Sequence, residues 1–107
     1  MDPRNPSTLK AEKIQLKKDY AFCMCLHYTL GKETADKLWA EDISRGVLID
    51  IADLYEENSH LDSIALEASE RIVPSTYSDH ENKKAVVFRC LQFYQSRELD
   101  RFVKSMK

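Results

Sequence analysis

The sequence predicts an all-α protein, a compact bundle of five to six helices. Only 2 of its 107 residues are glycine and 3 are proline, too few for a turn-rich β-sandwich. Apolar residues, which make up 43% of the chain, recur at helical spacing through most of its length. This length suits one domain, so we expect residues 1–7 to form a flexible lead and residues 8–107 a single helical domain.

The first predicted helix begins at Ser7 or Thr8, either of which can cap it, and ends at a left-handed stop on Gly31. A short helix follows over 34–39, and its Trp39 is expected to reach the core. The apolar residues of the first helix form one broad stripe, namely Leu9, Ile14, Leu16, Tyr20, Ala21, Cys23, Met24, Tyr28 and Leu30.

Two middle helices are predicted over 41–57 and 60–72. Gly46 lies inside the first of them, at a cost of about 1 kcal/mol relative to alanine, and suggests a close helix crossing or an early break. The residues expected to be buried are Ile43, Val47, Leu48, Ile51, Leu54 and Tyr55 in the first and Leu61, Ile64, Ala65, Ala68 and Ile72 in the second.

The segment 83–103 is predicted to lie at the centre of the fold. Nearly every position from 85 to 94 is apolar, and a helix without a broad polar face is usually the one that other helices surround. Ser96 can cap a final helix. The core residues expected in that helix are Leu99, Phe102, Val103 and Met106.

Charge is distributed unevenly along the chain. Residues 41–81 carry eleven acids against two arginines, a balance of −9, whereas residues 82–107 carry a balance of +5. The two regions either neutralise each other or leave an acidic face for a basic partner. No basic stripe interleaved with aromatic residues appears, so we expect no nucleic-acid partner. No apolar run approaches the length of a membrane span, and the chain begins without the hydrophobic region of a signal peptide.

Residue patterns give no indication of an enzyme, a metal site or a cofactor. The cluster Cys23, Cys25 and His27 offers three potential ligands, but positions i, i+2 and i+4 of a helix do not share one face. Each cysteine lies in an apolar helical run, where thiols are usually unreactive. Phosphate-binding glycine loops and hydrolase motifs are missing from the sequence.

Residues 73–82 form the longest stretch without periodic apolar residues. Pro74 cannot continue the preceding helix, so a loop is expected between two well-specified helices. Tyr77 is surrounded by small polar residues, a composition found both in ordinary surface loops and in binding loops.

The residues alone do not decide whether the cysteines form a disulfide. Cys23 and Cys90 each lie on a core-facing stripe, so they are either two buried thiols or a disulfide.

The pattern R-C-L-Q-F-Y-Q-S-R-E-L-D, over 89–100, resembles the C-terminal end of immunity proteins that neutralise the fourth family of type VI secretion amidase effectors. The resemblance extends over most of the chain from the first helix onward. It implies a periplasmic homodimer that inhibits a peptidoglycan amidase, an NlpC-like cysteine peptidase. It also implies a disulfide between Cys23 and Cys90, with Cys23 fitting the family position better than Cys25.

In such proteins a loop between the last two long helices enters the catalytic groove of the amidase. Position by position, this effector-binding loop corresponds in this sequence to Ser75, Thr76, Tyr77, Ser78, Asp79 and His80. Periplasmic location requires an export signal, which we expect to have been removed from the mature chain. The alternative hypothesis is a cytoplasmic helical adaptor or regulatory domain that binds other proteins.

Overall fold

A computed structural model of the protein describes residues 6–56, 58–74 and 83–106. Over these ranges it contains six α-helices and no β-strand, which confirms the predicted bundle. The helices are α1 (Pro6–Leu30), α2 (Lys32–Glu41), α3 (Ser44–Ile51), α4 (Asn58–Glu70), α5 (Val86–Tyr94) and α6 (Arg97–Ser105). No helix in this part of the chain is long and apolar enough to cross a membrane.

The centre of the fold is α1, because all five other helices pack against it. Its 25 residues extend over about 37 Å, long enough to give each shorter helix a place to dock. Tyr20, Ala21, Met24 and Cys25 are almost fully buried in the shared core. The broad apolar stripe predicted for the first helix therefore has several helices to cover it.

The prediction that the helix over 85–94 is central is wrong. Only Cys90 and Phe93 of α5 are buried, while Val87, Phe88 and Leu91 remain 59%, 56% and 40% exposed. Nine residues make a helix of about 14 Å, which is too short for other helices to surround. Its apolar residues on the far side from α1 consequently face solvent.

The predicted helix over 41–57 is much shorter in the structure. It ends at Ile51, and Asp53 follows with a φ of 52°, a left-handed conformation that stops the helix. Of its predicted core residues only Leu54 is fully buried and Leu48 is half-buried. The others are exposed, namely Ile43, Val47, Ile51 and Tyr55.

Burial in the fourth helix and the C-terminal helix follows the prediction. The five residues expected in the core from α4 and its end are all buried, namely Leu61, Ile64, Ala65, Ala68 and Ile72. Leu99 and Val103 of α6 are buried as well. Ser96 caps α6 as predicted, since its Oγ accepts a hydrogen bond from the backbone N–H of Leu99 at 3.1 Å.

The two glycines differ in their roles. Gly31 has a φ of 86° and a ψ of 161° between α1 and α2. The first helix therefore ends at the predicted glycine with a positive φ, but not in the left-handed helical conformation. Gly46 lies within α3, and no described atom beyond its chain neighbours and its own helix backbone comes within 4 Å of the place where a Cβ would be. Of the two expectations for Gly46, a close helix crossing or an early break, the crossing is therefore not found among the described residues.

Candidate protein-interaction site

The predicted effector-binding loop, residues 75–80, lies outside the described residues, but the structure describes both of its flanks. The chain leaves α4 through the buried Ile72 and the exposed Val73 and Pro74. It re-enters the described part at Lys83 and begins α5 three residues later. Because α4 and α5 both pack on α1 and also touch each other, the two attachment points lie on the same packed helical core.

An open groove of about 440 Å³ lies beside the flank of this loop. Val73 lines the groove on the α4 side, and Arg89 and Phe93 line it on the α5 side. The Arg71 guanidinium donates to the Glu98 carboxylate at 2.9 Å along its edge. This hydrogen bond lowers the pKa of Glu98, but both side chains are more than half exposed, so the pair adds little stability.

One face of α3 is apolar, and no described part of the chain covers it. Ile43, Val47 and Ile51 follow one another at four-residue spacing, so they form a single line of side chains, called the α3 stripe. Their exposed fractions are 76%, 41% and 60%. Isolated apolar side chains on a surface are ordinary, whereas three in a row along one helix form a continuous apolar strip.

The α3 stripe is bordered by acids. Asp42, Asp50 and Asp53 are all exposed beside it. The backbone N–H of Ser44 donates to Asp42 at 2.7 Å, and hydrogen bonds from Ser44 lower the pKa of that carboxyl. Asp50 accepts from the hydroxyl of Tyr55 at 2.9 Å.

Among the described residues, the basic C-terminal region forms no ion pair with the acids of the middle helices. Within 6–56, 58–74 and 83–106, no ion pair joins a described acid of residues 41–74 to a lysine or arginine of residues 83–106. Lys104, one of the C-terminal cations, pairs instead with Asp100 at 2.9 Å. The described residues therefore show no direct pairing between the two regions, and an acidic face for a basic partner stays a prediction.

A second uncovered apolar patch lies on α5. Val87, Phe88 and Leu91, called the α5 patch, are all exposed. Its surroundings are basic, because the exposed Lys83 lies just before the helix and the Arg89 guanidinium lies over the Phe88 ring, 5.5 Å from its centre. The α3 stripe and the α5 patch thus have opposite charge around them.

The disulfide differs from the predicted one. Cys25, not Cys23, lies at disulfide distance from Cys90, with a Cα–Cα separation of 5.8 Å. The hydroxyl of Thr29 is buried beside both sulfurs, at 4.0 and 3.9 Å. Cys23 is a free, buried thiol, and its burial, followed by the charge of Asp42, raises its pKa to about 11. It is therefore protonated at neutral pH and a poor nucleophile.

No metal centre is formed by the part of the chain that the structure describes, where no three His, Cys, Asp or Glu side chains converge. His27, a potential ligand by its place in the sequence, instead contacts Trp39 and Arg45. Sequence reasoning missed this contact, and it also placed the α3 stripe in the core. The one signal for the stripe was the four-residue spacing, which is the same for buried and exposed apolar faces.

Comparisons with known proteins give no relative from which a function could be transferred: no family model, curated protein or solved structure matches the chain.

Proposed function

We propose that this protein is an immunity protein that binds and inhibits a peptidoglycan amidase delivered by type VI secretion. The observation that carries the proposal is the uncovered α3 stripe with its acidic border, which is suited to another protein and not to a small substrate. The resemblance of residues 89–100 to the amidase immunity proteins supplies the identity of the partner.

Inhibition would come from residues 75–80. An inhibitor need not react with the catalytic cysteine of an NlpC-like peptidase; it has only to occupy the groove that the substrate needs. A loop fixed at both ends by packed helices loses less entropy on docking than a free peptide. Tyr77 would supply the aromatic anchor, and Asp79 and His80 would supply hydrogen bonds to the catalytic residues.

The proposed compartment is the periplasm. A buried cysteine pair at disulfide distance fits an oxidising compartment, and disulfides are rare in the cytosol. A homodimer is proposed on the resemblance alone. The two separate apolar surfaces, the α3 stripe and the α5 patch, leave room for contacts with both an amidase and a second copy.

The direct test measures binding and inhibition against a panel of purified type VI peptidoglycan amidases. We expect one member to bind with high affinity and to lose its hydrolysis of peptidoglycan fragments at a stoichiometric amount of this protein. If no member of the panel binds and all three thiols are free in the protein as isolated, the cytoplasmic adaptor becomes the better hypothesis.

Tyr77→Ala is expected to weaken amidase binding by about 2 kcal/mol, roughly thirtyfold, because aromatic anchors carry a large share of interface energy. Calorimetric titration would measure the affinity, and His60→Ala, an exposed change on α4, is the matched control. The thermal midpoint should be nearly unchanged.

Replacing residues 75–80 with Gly-Ser should abolish inhibition; full inhibition by that variant would mean that a helical surface blocks the amidase.

The acids beside the α3 stripe are expected to accelerate association with a basic amidase surface. Raising salt from about 50 mM to about 500 mM should slow association on the order of tenfold. Asp50→Asn with Asp53→Asn should slow association at low salt and flatten the salt dependence. Asparagine tolerates the left-handed conformation at position 53, so the fold should be kept. Glu67→Gln on α4 is the control, and an equal effect from it would contradict a role for the α3 border.

A further inference from the structure

Side chains from two other helices meet at one nitrogen atom of His27, which lies on α1. The indole N–H of Trp39, on α2, donates to His27 Nδ1 at 3.0 Å. Arg45 Nη1, on α3, lies 3.3 Å from the same Nδ1 atom. Both neighbours are donors, so Nδ1 must be the unprotonated acceptor and the ring proton must be on Nε2. Together the three residues are called the His27 cluster.

The His27 cluster joins α3 to the rest of the bundle. Arg45 is half-buried, whereas Ile43 and Val47 on the opposite side of the same helix are exposed. Its guanidinium also lies over the Trp39 ring, 5.0 Å from the ring centre, in a cation–π contact. Since α3 has no fully buried side chain of its own, its position depends on its half-buried residues. Leu48 and Ile49 pack against the core, and Arg45 holds the helix to the His27 cluster.

Several charged and titratable groups face His27 from the helices around it. Arg45 disfavours a charged imidazole, while Asp36 on α2 and Asp62 on α4 favour one. Tyr28 on α1 contacts the imidazole edge-on, with ring centres 5.1 Å apart. Burial and, next to it, Arg45 outweigh the acids, so the pKa of His27 lies below its ordinary value.

We infer that the His27 cluster is a pH-sensitive positioning device for the α3 stripe: a proton from solvent that binds Nδ1 removes the acceptor shared by Trp39 and Arg45 and releases α3. A protonated Nδ1 is a donor that faces two donors, and the imidazolium adds a positive charge beside a guanidinium. The contact thus turns from attractive to repulsive. In this way acidification alters the surface that the proposed function assigns to the partner.

The direction of the stability change follows from the lowered pKa. At pH values above the ordinary histidine pKa, both the folded and the unfolded chain hold a neutral His27, so this residue does not lower the free energy of unfolding. As pH falls from there towards the lower pKa of the folded state, the unfolded chain binds the proton first, so stability decreases. Below the pKa of the folded state the decrease levels off.

Trp39 is the only tryptophan, so its fluorescence reports on the cluster directly. The free, oxidised protein is titrated from about pH 8 to about pH 4.5, a range that spans the ordinary histidine pKa, while far-ultraviolet circular dichroism follows the helices separately. We expect a fluorescence transition with a midpoint below the ordinary histidine pKa and without loss of helicity. His27→Gln should abolish it, and His60→Gln, an exposed change on α4, should retain it.

Arg45→Gln provides a second measurement that a merely structural role would not predict. Removing the positive charge should move the midpoint to higher pH, and the backbone amide resonances of residues 44–51 should follow the same midpoint in the parent protein. Any of three results would overturn the inference. The parent protein could show no transition, the transition could persist in His27→Gln, or the resonances of residues 44–51 could stay unchanged through it. The amidase is not used in this titration, so a negative titration does not contradict the proposed function. Equally, a protein that binds no amidase does not contradict this inference.

Discussion

Loss of the bond between Cys25 and Cys90 is expected to lower the free energy of unfolding by about 4 kcal/mol, which is the chain-entropy contribution of closing a loop of this size. The two cysteines are 65 positions apart and join the central helix α1 to α5. Both are fully buried, and Thr29 is the polar neighbour of both sulfurs. For a domain of this length a loss of that size is a large fraction of the total stability.

Chemical denaturation of Cys25→Ala and Cys90→Ala, with and without reductant, would measure the loss. Cys23→Ala is the matched control, since it lies two positions away on the same helix and is also buried. We expect Cys23→Ala to cost far less and to keep its sensitivity to reductant. Alkylation of the unfolded, non-reduced parent should label one thiol. Peptide mapping should find the label on Cys23. Label on Cys25 instead, or a larger loss of stability for Cys23→Ala, would restore the Cys23–Cys90 pairing, and three labelled thiols would mean that the protein has no disulfide.

The sequence could place Cys90 against the first helix but could not choose its partner there. Positions 23 and 25 are about 200° apart around a helix, so only one can face α5. The apolar pattern does not separate them, because α1 is covered by helices on several sides and buries both. Choosing between them required the direction from which α5 approaches, which is a tertiary property.

A similar reason explains the errors in α3 and α5. Spacing identifies the side of a helix that carries apolar residues, and it did so for Val47 and Leu91. It does not say whether anything in the same chain covers that side. In α4 the apolar side meets α1, and the predicted burial is confirmed; in α3 and α5 part of it meets nothing in the described residues. Such mismatches are expected where a protein binds something else.

The contacts of the His27 cluster could not be predicted from the sequence for another reason. His27 precedes Trp39 by 12 positions and Arg45 by 18, and each lies on a different helix. No helical spacing relates them. Only the turn at Gly31 and the short connection after α2 bring the three side chains together.

Leu61→Ala and Leu91→Ala together test which helix pair forms the core. Leu61 on α4 is fully buried, so its truncation is expected to cost about 2–5 kcal/mol through lost apolar contact and the cavity left behind. Leu91 on α5 is 40% exposed, and its truncation is expected to cost below about 1 kcal/mol. Helix propensity changes equally in both variants, so the difference reports burial alone.

Urea denaturation of the two oxidised variants beside the parent would give both values. The same two variants also separate folding from binding at the α5 patch. If Leu91→Ala weakens association with an amidase or with a second copy while the free energy of unfolding stays near that of the parent, the side chain contributes to an interface. A loss for Leu91→Ala as large as that for Leu61→Ala would instead mean that α5 is surrounded by other helices, as its composition suggests.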